Sequence, residues 1–251
     1  MLDIVIPCLD TDIPMLKRCV PFLRENVTDG VGEIFVVSKR YGQIRKICKG
    51  LGCQFVDEIE FMGFDKNELG DIPFNRNGWL YQQLIKLSGD RLSSSDDFLV
   101  CDADHVLLKP HKFVVCGGYN FYYTGEYHIP YFRVIEKLFN GKYAKKINQS
   151  FISDKIVMNK GILSQMKDEI ESYSKKGWID TIVDNYDKET QSGFSEFETY
   201  GTFISNIFIG MVNMIDANRY METEENIASL TNKEMKEKYN GFASVTQFKN
   251  E

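Results

Sequence analysis

Short, continuously apolar runs alternate with segments of helical period through the first half of the chain. The run "LDIVIPCL" (2–9) breaks at "DTD" and reads as a buried parallel strand, and "IPMLKRCVPFLREN" (13–26) follows with helical spacing. "EIFVVSK" (33–39) predicts a second strand, "YGQIRKICKGLG" (41–52) a second helix ending on glycine, and "CQFVDE" (53–58) a third strand. Residues 61–77 are polar with scattered glycines and read as a loop. A helix is expected over 77–87, and the polar "SGDRLSSSDD" leads from it into the apolar run "FLVCDADHVLLKP" (98–110). Farther on, "KFVVCGGYNFYY" (112–123) predicts paired strands around a Gly-Gly turn, and 129–146 a helix. "SFISDKIVMNKGIL" (150–163) predicts a strand running into a helix start, 178–187 and 195–209 read as helices, and the charged segment from about 221 shows little pattern. Strand and helix in alternation predict an α/β chain with a doubly wound sheet, whose ligands bind at the carboxyl ends of the strands.

At 251 residues and 43% hydrophobic content the chain can fill one sizeable core, so a single domain with a late subdomain is expected. The formal charge of -6 argues against a general nucleic-acid-binding surface. Six cysteines (Cys8, Cys19, Cys48, Cys53, Cys101 and Cys116) lie mostly in apolar segments with no CxxC pair, which suggests reduced core thiols of a cytosolic protein rather than a zinc site. The opening "LDIVIPCLD" is too short and too soon acidic for a signal peptide, and no apolar run approaches the ~20 residues of a spanning helix. A soluble or peripherally attached protein is expected.

The feature that carries chemistry is the pair Asp102 and Asp104 at the end of an apolar strand. A carboxylate leaves water at a cost unless a cation or hydrogen-bond donors compensate, so two at i, i+2 invite a metal. Hard oxygen ligands suit Mg2+ or Mn2+, which take the rest of their shell from phosphates and water. The competing reading is a plain turn at the strand end. The pair, in its strand context, resembles the DxD motif of GT-A glycosyltransferases. Four segments in order, "RNGWLYQQLIKL" (76–87), "FLVCDADHVLLKP" (98–110), "SFISDKIVMNKGIL" (150–163) and "SEFETYG" (195–201), resemble a bacterial group of GT-A-like nucleotide-diphospho-sugar transferases.

That resemblance implies a GT-A (Rossmann-like) doubly wound mixed sheet with helices on both faces. It further implies a nucleotide-sugar-binding half over about 1–110, an acceptor-binding half over about 111–220, and a charged tail over 221–251. It implies a UDP-sugar or similar donor, Mn2+ or Mg2+ held by Asp104 and Asp102, and a glycan or lipid-linked hydroxyl acceptor in bacterial surface glycan synthesis. Asp102 is also expected to reach the donor's ribose. Pro7, Asp10 and Ser38 would receive the nucleoside at the ends of the first two strands, although helix capping competes for Asp10 and Asp12.

On the helix 77–87, Arg76, Trp79, Gln82, Gln83 and Lys86 form a polar stripe beside Leu80, Leu84 and Leu87. Arg76 and Lys86 could neutralise diphosphate charge and Gln82 or Gln83 orient hydroxyls; a solvated face is the alternative. In "GFSEFETYG" Ser195 and Glu198 fit a capping box, which leaves Glu196 as the expected base of an inverting transfer, with Glu198 in reserve. Ser153 and Asp154 would face the acceptor, with a strand-end turn the competing role for Asp154. His105 reads as a packed neighbour rather than a ligand, and His111 and His128 carry no pattern. The stretch 129–147 mixes aromatics with Arg133, Lys137, Lys142, Lys145 and Lys146, which suits either peripheral contact with an inner membrane surface or an ordinary docked helix.

Two other enzyme classes fit less well. A sugar nucleotidyltransferase would carry a Gly-rich, Arg-containing loop after its first strand, and an aspartate-nucleophile phosphatase would carry its D-x-D on that strand. A non-catalytic nucleotide-sugar-binding protein is the rival from outside enzymes.

Overall fold

The computed structural model describes residues 1–40 and 42–248. Its centre is β1 (Leu2–Pro7), buried along its whole length as the unbroken apolar run requires of a strand covered on both faces. α1 (Ile13–Asn26) follows, then β2 (Val31–Ser38), α2 (Ile44–Gly50), β3 (Gln54–Asp57) and a single-turn α3 (Glu58–Met62). The second helix is shorter than expected, and Tyr41 lies outside the described residues. α4 (Asn77–Leu87) spans the expected residues and leads to β4 (Asp97–Cys101). β8 (Lys155–Asn159), described below, completes a five-stranded sheet of order β3-β2-β1-β4-β8. Four strands are parallel, and β8 runs antiparallel to β4. The chain winds outward from β1 through β2 to β3, then returns to the other side of β1 as β4. The winding therefore reverses between β1 and β4, the place where an open α/β sheet leaves a crevice at its carboxyl edge.

Asp3 ties this centre together. Its Oδ1 accepts the Glu33 N–H at 2.9 Å, and its Oδ2 accepts the Ser94 N–H at 2.8 Å and the Ser93 and Ser94 hydroxyls at 3.0 and 3.1 Å. Gly32 permits the approach, since a Cβ there would lie 2.3 Å from Asp3 Oδ1. Burial by itself would raise the carboxyl, but these donors outweigh it and hold Asp3 below the usual aspartate range.

Beyond β4 come β5 (His105–Leu107), the hairpin β6 (Val114–Val115) and β7 (Gly118–Tyr123), and α5 (Ile129–Leu138). The hairpin matches the Gly-Gly expectation, with Val115 opposite Gly118. The helix expected to reach residue 146 ends at Leu138 because Asn140 and Gly141 take left-handed backbone (φ 49° and 73°). β8 runs directly into α6 (Lys160–Ser174), followed by α7 (Trp178–Asn185) and α8 (Glu196–Ile207). β9 (Val212–Asp216) pairs parallel with β7.

The segment from 221, read from the sequence as a charged tail, folds. β10 (Arg219–Glu222) leads to α9 (Glu224–Ser229), α10 (Asn232–Lys238) and β11 (Ser244–Gln247), and β11 lies between β10 and β5. Ile227, Met235, Tyr239 and Val245 from this segment close over Met15 and Phe22 of α1 and Val106 and Leu108, forming a second core. Few apolar residues in short elements suffice because α1 supplies the other wall.

No described helix is long and apolar enough to cross a membrane. Five cysteines are buried thiols, and Cys116 is exposed at the hairpin tip.

Asp3→Asn removes the charge that four donors hold and should cost about 2 kcal/mol at pH 7. Because the folded-state carboxyl is depressed, that stabilisation exists above the unfolded value and is lost as pH falls, so the two proteins should converge below about pH 4 in urea melts. Equal midpoints at pH 7 would contradict the assigned role.

Candidate functional site

At the crevice between β1 and β4 lies a polar cleft of about 150 Å³. Pro7 ends β1 at its floor, and Asp12 approaches from the turn before α1. Trp79, Gln82, Gln83 and Lys86 enter along one face of α4, and Asp102, Ala103 and Asp104 close the opposite side. Four residues of the polar stripe read on the helix thus line the cleft, and Arg76 lies outside it.

Lys86 organises it. Its Nζ lies 2.7 Å from Asp102 Oδ1, 2.8 Å from Glu196 Oε1, and 4.5 Å from the Phe197 ring centre. Burial would lower the ammonium's pKa, but the two carboxylates outweigh it and hold the group above its ordinary value. Burial pushes the Asp102 carboxyl up, Lys86 pulls it back and Asp104 adds to the rise, for a net position of about 7. Lys86 is therefore spoken for by two acids. Lys86 is shared by Asp102 and Glu196, and the cleft lining adds the carboxylates of Asp12 and Asp104. Asp104 faces the cleft without entering that pair.

The two glutamates of α8 diverge. Ser195 caps the helix, its Oγ accepting the Glu198 N–H at 3.1 Å. Glu198 does not return its side chain to close the box. Fully buried, it accepts from the Ser150 hydroxyl (2.5 Å), the Phe151 N–H (2.8 Å) and Lys145 Nζ (3.0 Å). Both its oxygens are committed to the 145–151 loop. Glu196, nearly as buried, gives only Oε1 to Lys86 and touches the cleft through that lysine. Gly201 lets the same loop close on α8, since a Cβ there would sit 2.1 Å from the Phe151 ring.

Asp10 lies exposed in the short turn after β1, where its Oδ1 accepts the Thr11 N–H, and the cleft takes Asp12 in its place. Ser38 is buried at the end of β2, with no hydrogen-bond partner for its hydroxyl. Arg76 precedes α4, donates to the Gln191 carbonyl (3.0 Å) and stacks 5.0 Å from the Trp79 ring; Trp79 in turn meets Tyr186 edge-on. Ser153 is buried, and Asp154 is held by Arg219, whose Nη1 donates to both its oxygens at 3.0 and 3.1 Å. In the stretch 129–147, Arg133 pairs with Asp187, Lys142 with Glu169 and Lys145 with Glu198, which neutralises much of its positive charge.

Behind the aspartates sits a network that sequence reading missed. Buried His105 places Nδ1 2.6 Å from the Thr246 hydroxyl and 3.3 Å from Asp154, and Nε2 3.0 Å from Lys155 Nζ. Burial, with Lys155 next to it, holds His105 well below its usual pKa, so the ring is neutral, and its partners assign the proton to Nδ1. Burial brings Lys155 down to about 8. The one available signal was that Arg219 stands alone among apolar and acidic neighbours late in the chain.

Glu198→Ala would strand two buried donors and take from Lys145 its carboxylate partner, leaving it the Gln149 carbonyl, at a cost of about 3 kcal/mol. The urea-unfolding midpoint should fall accordingly, and an unchanged midpoint would show the contacts to be dispensable.

No curated protein sequence matches the chain. Among solved structures it is similar to the galactosyltransferase LgtC in complex with donor and acceptor sugar analogues. That match has a TM-score of 0.50 and 12% identity, over 99% of this chain and 87% of that one. It is also similar to mouse xyloside xylosyltransferase 1 in its apo form, with a TM-score of 0.53 and 10% identity over 98% and 97% of the two chains. At such identities the likeness establishes the fold, a mixed α/β sheet of GT-A glycosyltransferase type. A family model described as a family of unknown function, DUF6492, matches residues 28–247, and the chain belongs to that family.

Proposed function

We propose that the protein is a metal-dependent glycosyltransferase that moves a sugar from a nucleotide-diphospho-sugar, a UDP-sugar in first place, to a hydroxyl on a glycan or lipid-linked acceptor. One observation carries this reading: Asp102 and Asp104 leave β4 at the point where the sheet's winding reverses, and with Asp12 they line a polar cleft there. Among the described residues no three His, Cys, Asp or Glu side chains gather to hold a metal by themselves. Two hard carboxylates fit Mn2+ or Mg2+ nonetheless, because such ions complete their shell from phosphates and water. Asp104 is the principal ligand in this reading and Asp102 the second, since Lys86 already occupies one of its oxygens. The cation, when bound, offsets charge on the departing diphosphate.

The chain's own groups do the rest. Gln82 and Gln83 offer amides to ribose or sugar hydroxyls, and Trp79 supplies a flat wall stiffened by Arg76 and Tyr186. Arg76, before the first turn of α4, and the mouth of β1 and β2 at Pro7, Asp10 and Ser38 form the proposed approach for the donor. Glu196 is the proposed base of an inverting transfer: Lys86 anchors Oε1, and Oε2 is the oxygen that can take the acceptor's proton. Glu198 has no oxygen to spare for that task. Ser153 and Asp154 stand on the proposed acceptor side. A cytoplasmic setting at the inner membrane surface, with residues 129–147 as the contact, and a part in bacterial surface glycan synthesis belong to the same proposal.

Thermal shift with UDP-, GDP- and CMP-sugars, with and without Mn2+, tests the donor reading. At about a hundredfold excess over Kd a true donor should raise Tm by roughly 5 °C, only with the metal, and Asp104→Asn should abolish the shift. If no nucleotide-sugar stabilises the protein and none is turned over, the reading fails.

Glu196→Gln keeps an oxygen for Lys86 while removing the base. Transfer should fall about 100-fold or more with donor Kd within about threefold of wild type. Near-normal kcat would move the chemistry to a retaining mechanism that needs no base.

A further inference from the structure

The turn that carries Asp102 and Asp104 is held from the far end of the chain. β11 pairs antiparallel with β5, setting Ser244, Val245 and Thr246 opposite Leu107, Val106 and His105. One residue farther on, the Gln247 N–H donates to the Asp104 carbonyl at 3.1 Å. On the other side of the turn, the Asp102 N–H donates to the Asp154 carbonyl at 2.9 Å, and the His105 N–H to the Asp102 carbonyl at 3.2 Å. Asp154 is in turn gripped by Arg219 of β10 through two contacts.

We propose that the β10–β11 ribbon is a positioning element of the donor site, in which the Gln247 main chain and the Arg219 guanidinium fix the Asp102–Asp104 turn in the form that holds a divalent cation. This rests on reading those two aspartates as the cation site. The turn has only Ala103 between its two acids, so each carboxylate's direction follows its own backbone peptide. A shift of about 1 Å in either would misplace oxygens that must share one ion with a diphosphate. β4 fixes the entry to the turn, but its exit is β5, three residues long and absent from the central sheet. β11 is the strand that secures β5. Arg219 adds a constraint water cannot, because its Nη1 donates to both oxygens of Asp154 while its Nη2 donates to Glu126 at 2.7 Å, so the planar guanidinium is itself held between two carboxylates. Neither Gln247 nor Arg219 touches the cleft, so both act through the turn.

Gln247→Pro tests this in the full-length protein. It deletes the N–H that reaches Asp104 while leaving Thr246 in the extended backbone a following proline prefers. Gln247→Ala, which keeps the N–H, is the reference. Two readouts are taken: hydrogen exchange at the Asp102 and His105 amides, and Mn2+ affinity in the presence of UDP by electron paramagnetic resonance. Relative to Gln247→Ala, the proline variant should exchange at least tenfold faster at those amides and bind Mn2+ at least fivefold more weakly. Arg219→Gln, acting from β10, should move both readouts in the same direction, and Arg219→Lys should recover only part of the affinity; this pair decides the matter if the proline variant does not fold. Folded variants with reference exchange and reference Mn2+ affinity overturn the inference. Absence of Mn2+ binding by the wild-type protein overturns the cation reading instead, while exchange at the two amides still reports whether the ribbon holds the turn.

Discussion

The arrangement depends on one buried ammonium. Lys86 sits on α4, Asp102 at the end of β4 and Glu196 at the start of α8, and the three meet within 2.8 Å contacts. Withdrawing a charged lysine from water costs several kcal/mol, so the group is tolerable only where both acids and the Phe197 ring arrive together. Such a cluster is weak evidence of net stability, because a well-packed apolar trio could do as well. It is strong evidence of geometry: three elements distant in sequence are held in register by one atom. The cleft inherits its shape from that register, since Lys86, Gln83, Gln82 and Trp79 enter it from the same helix.

Much of this was legible in the sequence, and the parts that were not share a cause. β1, α1, α4 and β4 announce themselves by unbroken apolar runs or a clear helical face, and a segment that buries one face of its own accord writes that face into its residues. The C-terminal unit does not. α9, α10 and β11 are each four to seven residues long and contribute one or two apolar side chains apiece, completing a core whose other wall is α1. No window of that segment is periodic enough to show it. Within the site, Asp102, Asp104, Gln83 and Lys86 follow from strand-end chemistry and the helical stripe. Asp10 and Asp12 show the limit of such reading. A three-residue turn after β1 sends the first outward and the second to the cleft, and the choice rests on backbone geometry that no local pattern records. Arg219 and Asp154 lie 65 positions apart and carry no sign in sequence that they meet.

The charge balance of the cleft follows from the same long-range pairings. Asp154 might have added a further unpaired carboxylate beside Asp102, and Arg219 removes that burden, while neutral His105 separates it from Lys155.

α8 joins the two sides of the molecule, and its sequence explains how. Ten consecutive residues, Glu196 to Ser205, are buried, so each charged side chain there must find a partner inside the protein. In a helix, side chains two apart point about 200° from one another, so the acids of "EFE" cannot serve one site. Glu196 turns to Lys86, and Glu198 to Lys145, Ser150 and Phe151. The Ser195 cap fixes the helix's first turn and thereby both directions at once. Glu198 thereby ties the 145–151 loop to the same rigid helix that presents Glu196 to Lys86.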